Sequence, residues 1–233
     1  MKFKNKLITF TQTNDGVAEH NPQPAKKFIP DWYKQTPSYI NGKKEITNIE
    51  NVPMTIKKCM PVFDAMTSGY YLFTFCDIYV KQQDGAPYYY WTQGPAVGFH
   101  AVQQAEKHPK RKDDGYPKFL NSFGIKTPPG YSCMFVNPMH NPSGIFTILE
   151  GIVDTDEYSA PVNFPFVLND NSWEGLIPAG TPIVQVIPFK RDSWQMKLGK
   201  EEDIKNIKQN ILKKSSKFFD AYKSLFWSSK EYN

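Results

Sequence analysis

Ile145-Phe146-Thr147-Ile148-Leu149-Glu150-Gly151-Ile152-Val153, then Val162 to Leu168, then Pro182 to Phe189, are three apolar runs cut by sharp turns. Their reading decides the fold. Each run is seven to nine residues long, rich in Ile, Val and Phe, and bounded by Pro, Gly, Asn or Asp, which is the punctuation of strands rather than helices. Ahead of the last run, Leu176-Ile177-Pro178-Ala179-Gly180-Thr181 supplies a proline with preset φ and a glycine that accepts positive φ. That predicts a tight turn between antiparallel strands and makes this stretch the organising β-core.

Working outward, a chain of 233 residues can bury a full hydrophobic core, so one domain of ordinary size with an appendage is expected. The 17 Phe, 13 Tyr and 5 Trp concentrate in strand-like runs, where broad rings pack across a pleated surface. This predicts a mainly β protein, a β-sandwich or jelly-roll-like domain with short helical insertions. Pro161, Pro165, Pro182 and Pro188 must lie at strand starts, edges or bulges, because proline donates nothing to a ladder.

Cys59, Cys76 and Cys133 form no CxxC pair and read as reduced thiols in apolar settings. Met1 to Leu7 has a basic start but no cleavage site of a signal peptide, and no run of about 18 apolar residues exists to span a bilayer. Residues 197 to 230 hold nine Lys against four acids, which equals the whole formal +5, so the body is neutral and offers no nucleic-acid surface.

In chain order, Lys6 to Thr11 predicts a strand ending in the turn Thr13-Asn14-Asp15-Gly16. Asp31 sits where a helix N-cap would, opening one short turn that carries Trp32 and Tyr33 inward. Val62, Phe63 and Met66 share a helical face capped by Gly69. Tyr70 to Val80 alternates as one strand, and Asp84-Gly85 turns it into a hairpin with Tyr88 to Thr92. Pro95 to Val102 and Tyr131 to Asn137 are further strands, and the charged run Lys107 to Asp114 is a solvated loop.

After Trp194 the hydrophobic period changes from about two to about 3.6. Glu201-Glu202-Asp203 opens a helix, and Ile204, Ile207, Ile211, Phe218, Tyr222, Leu225 and Phe226 recur at helical steps. The expectation is one amphipathic helix of about six turns over roughly 201 to 226, so that 1–196 is the β-rich domain and 197–233 its helical appendage. Its stripe packs on its own sheet, on a membrane surface, or on a second copy; near-heptad spacing of Ile204, Ile211, Phe218 and Leu225 suits a homo-oligomer.

No complete catalytic signature is present. His20, His100, His108 and His140 form no HxH or HExxH, so a metal would need His100 and His140, with Glu150 and Asp154, gathered by the fold. There is no G-x-S-x-G and no Gly-rich phosphate loop, and no cofactor is implied. One concentrated patch, Gly151-Ile152-Val153-Asp154-Thr155-Asp156-Glu157-Tyr158, places three carboxylates and a Tyr hydroxyl at the end of a strand. Neighbouring carboxylates there either raise one another's pKa, hold a cation or a sugar hydroxyl, or form an exposed turn.

That patch resembles the Gly-[Leu/Ile/Val]-[Ile/Val]-Asp-x-x-Tyr pattern of deoxyuridine triphosphatases, and Ile177 to Ile187 is similar to a later strand of the same enzymes. Glu157 is an extra residue before Tyr158, Ala160-Pro161 replaces a glycine, and the Arg-Ser-Ser segment and Gly-rich C-terminal arm are missing. A wider resemblance runs through Pro30-Asp31-Trp32-Tyr33-Lys34, Thr55 to Pro61, Asp64 to Tyr70, Gly151 to Asp156 and Ile177 to Ile183. These segments look like an uncharacterised protein family of tailed marine phages, cyanophages among them, whose core resembles a bacterial domain of unknown function. The resemblance implies phage ancestry, and with it the infected host's cytoplasm or the virion, and carries no activity.

Two classes of function follow. The first is a noncatalytic phage protein, a virion or assembly component or a binding module, with another phage or host protein as a further partner. The second is an enzyme on a small polar substrate such as a nucleotide or sugar, using Asp154, Asp156 and Tyr158 with Gln185 nearby.

Overall fold

The computed structural model describes residues 6–13, 20–44, 53–109 and 116–233. Met1 to Asn5, Asn14 to Gly16 of the first turn and Lys110 to Asp114 of the charged run lie outside the described residues. The strands are β1 (Thr9–Gln12), β2 (Gln23–Pro24), β3 (Tyr70–Phe73), β4 (Ile78–Gln83), β5 (Ala86–Trp91), β6 (Val97–His100) and β7 (Tyr116–Phe119). They continue with β8 (Phe123–Lys126), β9 (Tyr131–Val136), β10 (Phe146–Ile148), β11 (Gly151–Val153), β12 (Phe164–Leu168), β13 (Gly175–Ile177) and β14 (Pro182–Lys190). The α-helices are α1 (Asp31–Gln35), α2 (Met60–Thr67), α3 (Glu201–Ser215) and α4 (Ala221–Leu225).

The protein is therefore mainly β, with short helical insertions and a C-terminal helix. Among the described residues the strands pair antiparallel in four sheets of order β11-β9-β14-β3-β2, β10-β12-β7-β6, β13-β4-β5 and β1-β8. One core is shared by all four: Leu72, Val184 and Val186 from the five-stranded sheet, Phe119, Ile148 and Phe166 from the four-stranded sheet, Ile78 and Ile177 from the third, and Ile125 from β8. Phe135 of β9 meets Phe164 of β12 with ring centroids 5.5 Å apart, which marks where the two larger sheets touch.

Period-two patterning sorts side chains as expected along the β4–β5 hairpin. Ile78, Val80 and Tyr89 are buried while Tyr79, Lys81, Tyr88 and Tyr90 face out. Asp84 and Gly85 both take positive φ in its turn.

The expected single strand from Tyr70 to Val80 is two strands in two sheets. Thr74 and Asp77 divide it, because the Thr74 hydroxyl donates to the Pro178 carbonyl (2.7 Å) and the Asp77 carboxylate accepts from the Ala179 N–H (2.8 Å). The three defining runs are likewise distributed rather than adjacent. Ile145 to Val153 divides into β10 and β11 in different sheets, β12 lies in the four-stranded sheet, and β14 runs through the middle of the five-stranded sheet between β9 and β3. The turn at 178–181 thus joins strands of different sheets.

Two local features differ from the expectation. Tyr33 is buried but Trp32 is 41% exposed, its indole donating to the His140 carbonyl (2.9 Å). The expected six-turn terminal helix breaks after Ser215, and Asp220 adopts a left-handed conformation (φ 53°) before α4 begins. No long stripe through Ile204, Ile211, Phe218 and Leu225 can form across that break.

Beyond it the chain returns to the body. Lys58 lies 3.2 Å from the Asp220 carboxylate, the Trp227 indole donates to Asp64 (2.9 Å), Lys230 pairs with Asp64 (2.6 Å), and Tyr232 packs edge-on against Tyr70 at 5.9 Å. Among the described residues no helix is long and apolar enough to cross a membrane.

Candidate functional site

The acidic turn follows directly from β11, an edge strand that pairs Val153 with Cys133 of β9. Its carboxylates have different fates. Asp156 is 6% exposed and accepts from both terminal nitrogens of Arg191 (2.6 and 2.5 Å) and from the Gly130 N–H (2.7 Å). This two-pronged pair is the geometry in which a guanidinium matches a carboxylate. The hydrogen bonds from Arg191 hold the Asp156 carboxyl down to about 2, against an upward push from burial and with help from Gly130.

Asp154 is exposed; its Oδ1 accepts from the Ser132 hydroxyl (2.6 Å) and lies 3.2 Å from Arg191. Thr155 between them is fully buried, its hydroxyl 2.7 Å from that of Thr127 and 3.3 Å from the Cys133 sulfur. Lys126 also donates to the Asp156 carbonyl. The turn is thereby fastened to the β8–β9 connection and to the end of β14. Tyr158 is 54% exposed and projects from this assembly.

Gln185 is not part of that cluster. It sits in the middle of β14 opposite Val136 and Tyr71, whereas Pro188, three residues on, pairs with Cys133 beside Val153. That offset is roughly 10 Å along the strand. The side chain is fully buried: Nε2 donates to the carbonyls of Ala65 (2.8 Å) and Ser68 (2.6 Å), and Oε1 accepts from the Met139 N–H (2.9 Å). It ties the end of α2 to the sheet.

His100 lies on β6, at the edge of the four-stranded sheet, with Nδ1 2.9 Å from the Gln104 side chain. His140 is an exposed turn residue with φ 58°. Glu150 accepts from Asn137 (3.0 Å). Asp154 follows an edge strand of the other large sheet, so these side chains are not assembled. Among the described residues no three His, Cys, Asp or Glu side chains gather as a metal would require. Cys76 and Cys133 are buried, and burial pushes the Cys133 thiol up to about 11, away from thiolate chemistry. Cys59, expected in an apolar setting, is exposed.

A second surface escaped the sequence reading. On the outer face of β13-β4-β5, Leu176 pairs with Tyr79 and Tyr79 with Tyr90, making one row across three strands. Lys81 and Tyr88 form the next row on the same face. Leu176, Tyr79, Tyr88 and Tyr90 are 39, 41, 46 and 51% exposed. Adjacent strands lie about 4.8 Å apart and successive same-face residues roughly 6.7 Å apart, so this patch spans about one sugar ring or nucleobase. The Tyr90 hydroxyl reaches Gln83 (3.4 Å), and Glu174 beside the patch accepts from the Gln82 N–H (2.6 Å). The alternation of this hairpin was visible in sequence, but its outward members read only as strand formers.

No family model and no curated protein matches the sequence. Solved structures with weak likeness include a point mutant of the dUTPase from phage phi11 of S. aureus, at 10% identity and TM-score 0.31, covering 57% of this chain and 84% of that one. A point mutant of the dUTPase from phage 80alpha has 9% identity and TM-score 0.35, covering 83% and 89%. Another mutant of the Staphylococcus bacteriophage 80alpha dUTPase, with dUpNHpp, has 9% identity and TM-score 0.34, covering 83% and 88%. TM-scores this low do not establish a shared fold.

Proposed function

We propose that this chain binds a polar, ring-bearing small molecule, a nucleotide or a sugar, on the outer face of β13-β4-β5. The observation that carries the reading is the exposed row Leu176–Tyr79–Tyr90 with Lys81–Tyr88 beside it, on a sheet whose other face is core. Tyrosine offers a flat apolar face and a hydroxyl together, which is what stacking on a sugar or base and hydrogen-bonding its rim demands. Lys81 supplies a cation for a phosphate. The buried pairing of Asp156 with Arg191 supports a structural role for that carboxylate rather than a hydrolytic one. The phage ancestry implied by the sequence resemblance belongs to the same proposal.

The test is a titration by heteronuclear NMR with thymidine monophosphate and with neutral oligosaccharides. Shifts confined to the β13-β4-β5 sheet, weakened about tenfold by Tyr79→Ala or Tyr90→Ala, are expected. No shift with either ligand class at millimolar concentration overturns the reading.

A second reading keeps an enzyme on a nucleotide. The resemblance of Gly151 to Tyr158 to the deoxyuridine triphosphatase pattern supports it, as does the exposed Asp154 carboxylate beside Arg191 and Ser132. Pyrophosphate release from deoxyuridine triphosphate with Mg²⁺, abolished by Asp154→Asn, would establish it; on the binding reading release stays at the buffer level.

A further inference from the structure

A 15-residue helix surrounded by water is marginal, because nucleation is unfavourable and few residues repay it. α3 is such a helix. None of its residues is buried, and Ile204, Ile207, Ile211 and Leu212 are 49, 58, 57 and 69% exposed. Its first turn holds Glu201, Glu202 and Asp203, its last turn Lys213 and Lys214, and Asp203 accepts from the Lys200 N–H (2.8 Å) to fix the start. The segment before it is also bare, with Trp194, Met196 and Leu198 at 88, 92 and 82%. Neither the sheets nor the returning tail covers the isoleucine stripe.

We propose that α3 pairs antiparallel with α3 of a second copy of this chain, across a two-fold axis beside Ile207. The charge pattern selects both partner and direction. Sliding two antiparallel copies until Ile204 meets Ile211 of the partner subunit brings the acidic first turn of each helix, where Glu201 and Asp203 flank the stripe, against the basic last turn of the other, near the partner's Lys214. The axis then falls between positions 207 and 208, so the two Ile207 side chains flank it one residue step apart and complete three apolar layers between the copies. A parallel pair would instead set three acids beside three acids and Lys beside Lys.

Three layers fall short of the roughly 800 Å² per partner of a standard interface, so the dimer is weak and concentration-dependent. Trp194, Met196 and Leu198 add apolar area beside it. The interface is isologous, as a closed dimer requires.

Sedimentation of the full chain across micromolar to millimolar concentration reads the association. A monomer–dimer equilibrium shifted at least tenfold toward monomer by Ile204→Ser with Ile211→Ser is expected, with the β signal in circular dichroism unchanged because these side chains touch no core. Direction is read by oxidative cross-linking in a Cys59→Ser background. Chains carrying Ile204→Cys and Ile211→Cys should link when mixed, and Ile204→Cys alone should not. A monomer throughout the range overturns the proposal. So does self-linking of Ile204→Cys, or a monomer that binds anionic vesicles through α3.

Discussion

Gln185→Leu separates a structural glutamine from a ligand-binding one. Leucine fills most of the same volume, so the cavity contribution is small. What changes is hydrogen bonding: the Met139 N–H loses its acceptor, and the Ala65 and Ser68 carbonyls lose a shared donor. A buried unpaired N–H costs about 1–3 kcal/mol, and Met139, only partly buried, belongs near the lower end. Each carbonyl keeps a second lone pair, which makes its loss cheaper, about 1 kcal/mol apiece. The sum is about 3 kcal/mol, a large share of the roughly 5–15 kcal/mol that holds a domain folded. At about 2–4 °C per kcal/mol for a chain of this size, Tm should fall by about 6–12 °C. Thermal melts followed by far-ultraviolet circular dichroism measure it, with urea midpoints as the second reading. A fall under about 2 °C would refute the reasoning, and loss of ligand binding at unchanged Tm would return Gln185 to a site.

The Asp156–Arg191 pair should show in the acid limb of stability. Because the folded carboxyl is held down to about 2, below the ordinary value of about 3.9, its stabilisation is full above the ordinary value and is lost as pH falls toward 2. Asp156→Asn should therefore be less stable than the parent at pH 7, with the difference shrinking as pH falls through about 2; a pH-independent difference in urea midpoints contradicts this. Gly69→Ala should fail to give folded protein, since the added Cβ would sit 2.0 Å from the Val186 carbonyl oxygen at φ +74°. A soluble variant melting within a few degrees of the parent would show that the α2–β3 corner can open.

The class of the fold was legible because it rests on local signals: period-two alternation, Asp84-Gly85 at a hairpin, and Gly69 at the close of α2. Sheet membership was not. Thr74 and Asp77 look like two more positions of a strand, and what divides that strand is the turn at 178–181, a hundred residues away. Tyr116 to Phe119 and Phe123 to Lys126 are too short and too interrupted to announce β7 and β8. The acidic turn failed differently. Its carboxylates were plain in sequence, but the charge that occupies Asp156 comes from Arg191, 35 residues on, and no spacing rule connects them. The break after Ser215 is also tertiary in origin: the apolar stripe continues through Phe218 and Leu225, yet Phe219, Asp220 and Trp227 find partners on Tyr39, Lys58 and Asp64 instead.

Those partners bear on how two copies would meet. The chain carrying α3 is tied to the body by Arg191 on Asp156, ten residues before the helix, and by Phe219 to Tyr232 after it. Exchange of the tail between copies would break the Trp227–Asp64, Lys230–Asp64 and Tyr232–Tyr70 contacts and rebuild the same ones on the partner, with no new apolar burial. Pairing through the isoleucine face breaks none of them and covers surface that is otherwise wet. Because the chain is tied to the body on either side of α3, less motion is left to lose on association than from a free helical arm, which offsets part of the cost of so small an interface. The break that shortens the helix is thus also what presents its apolar face to a second copy.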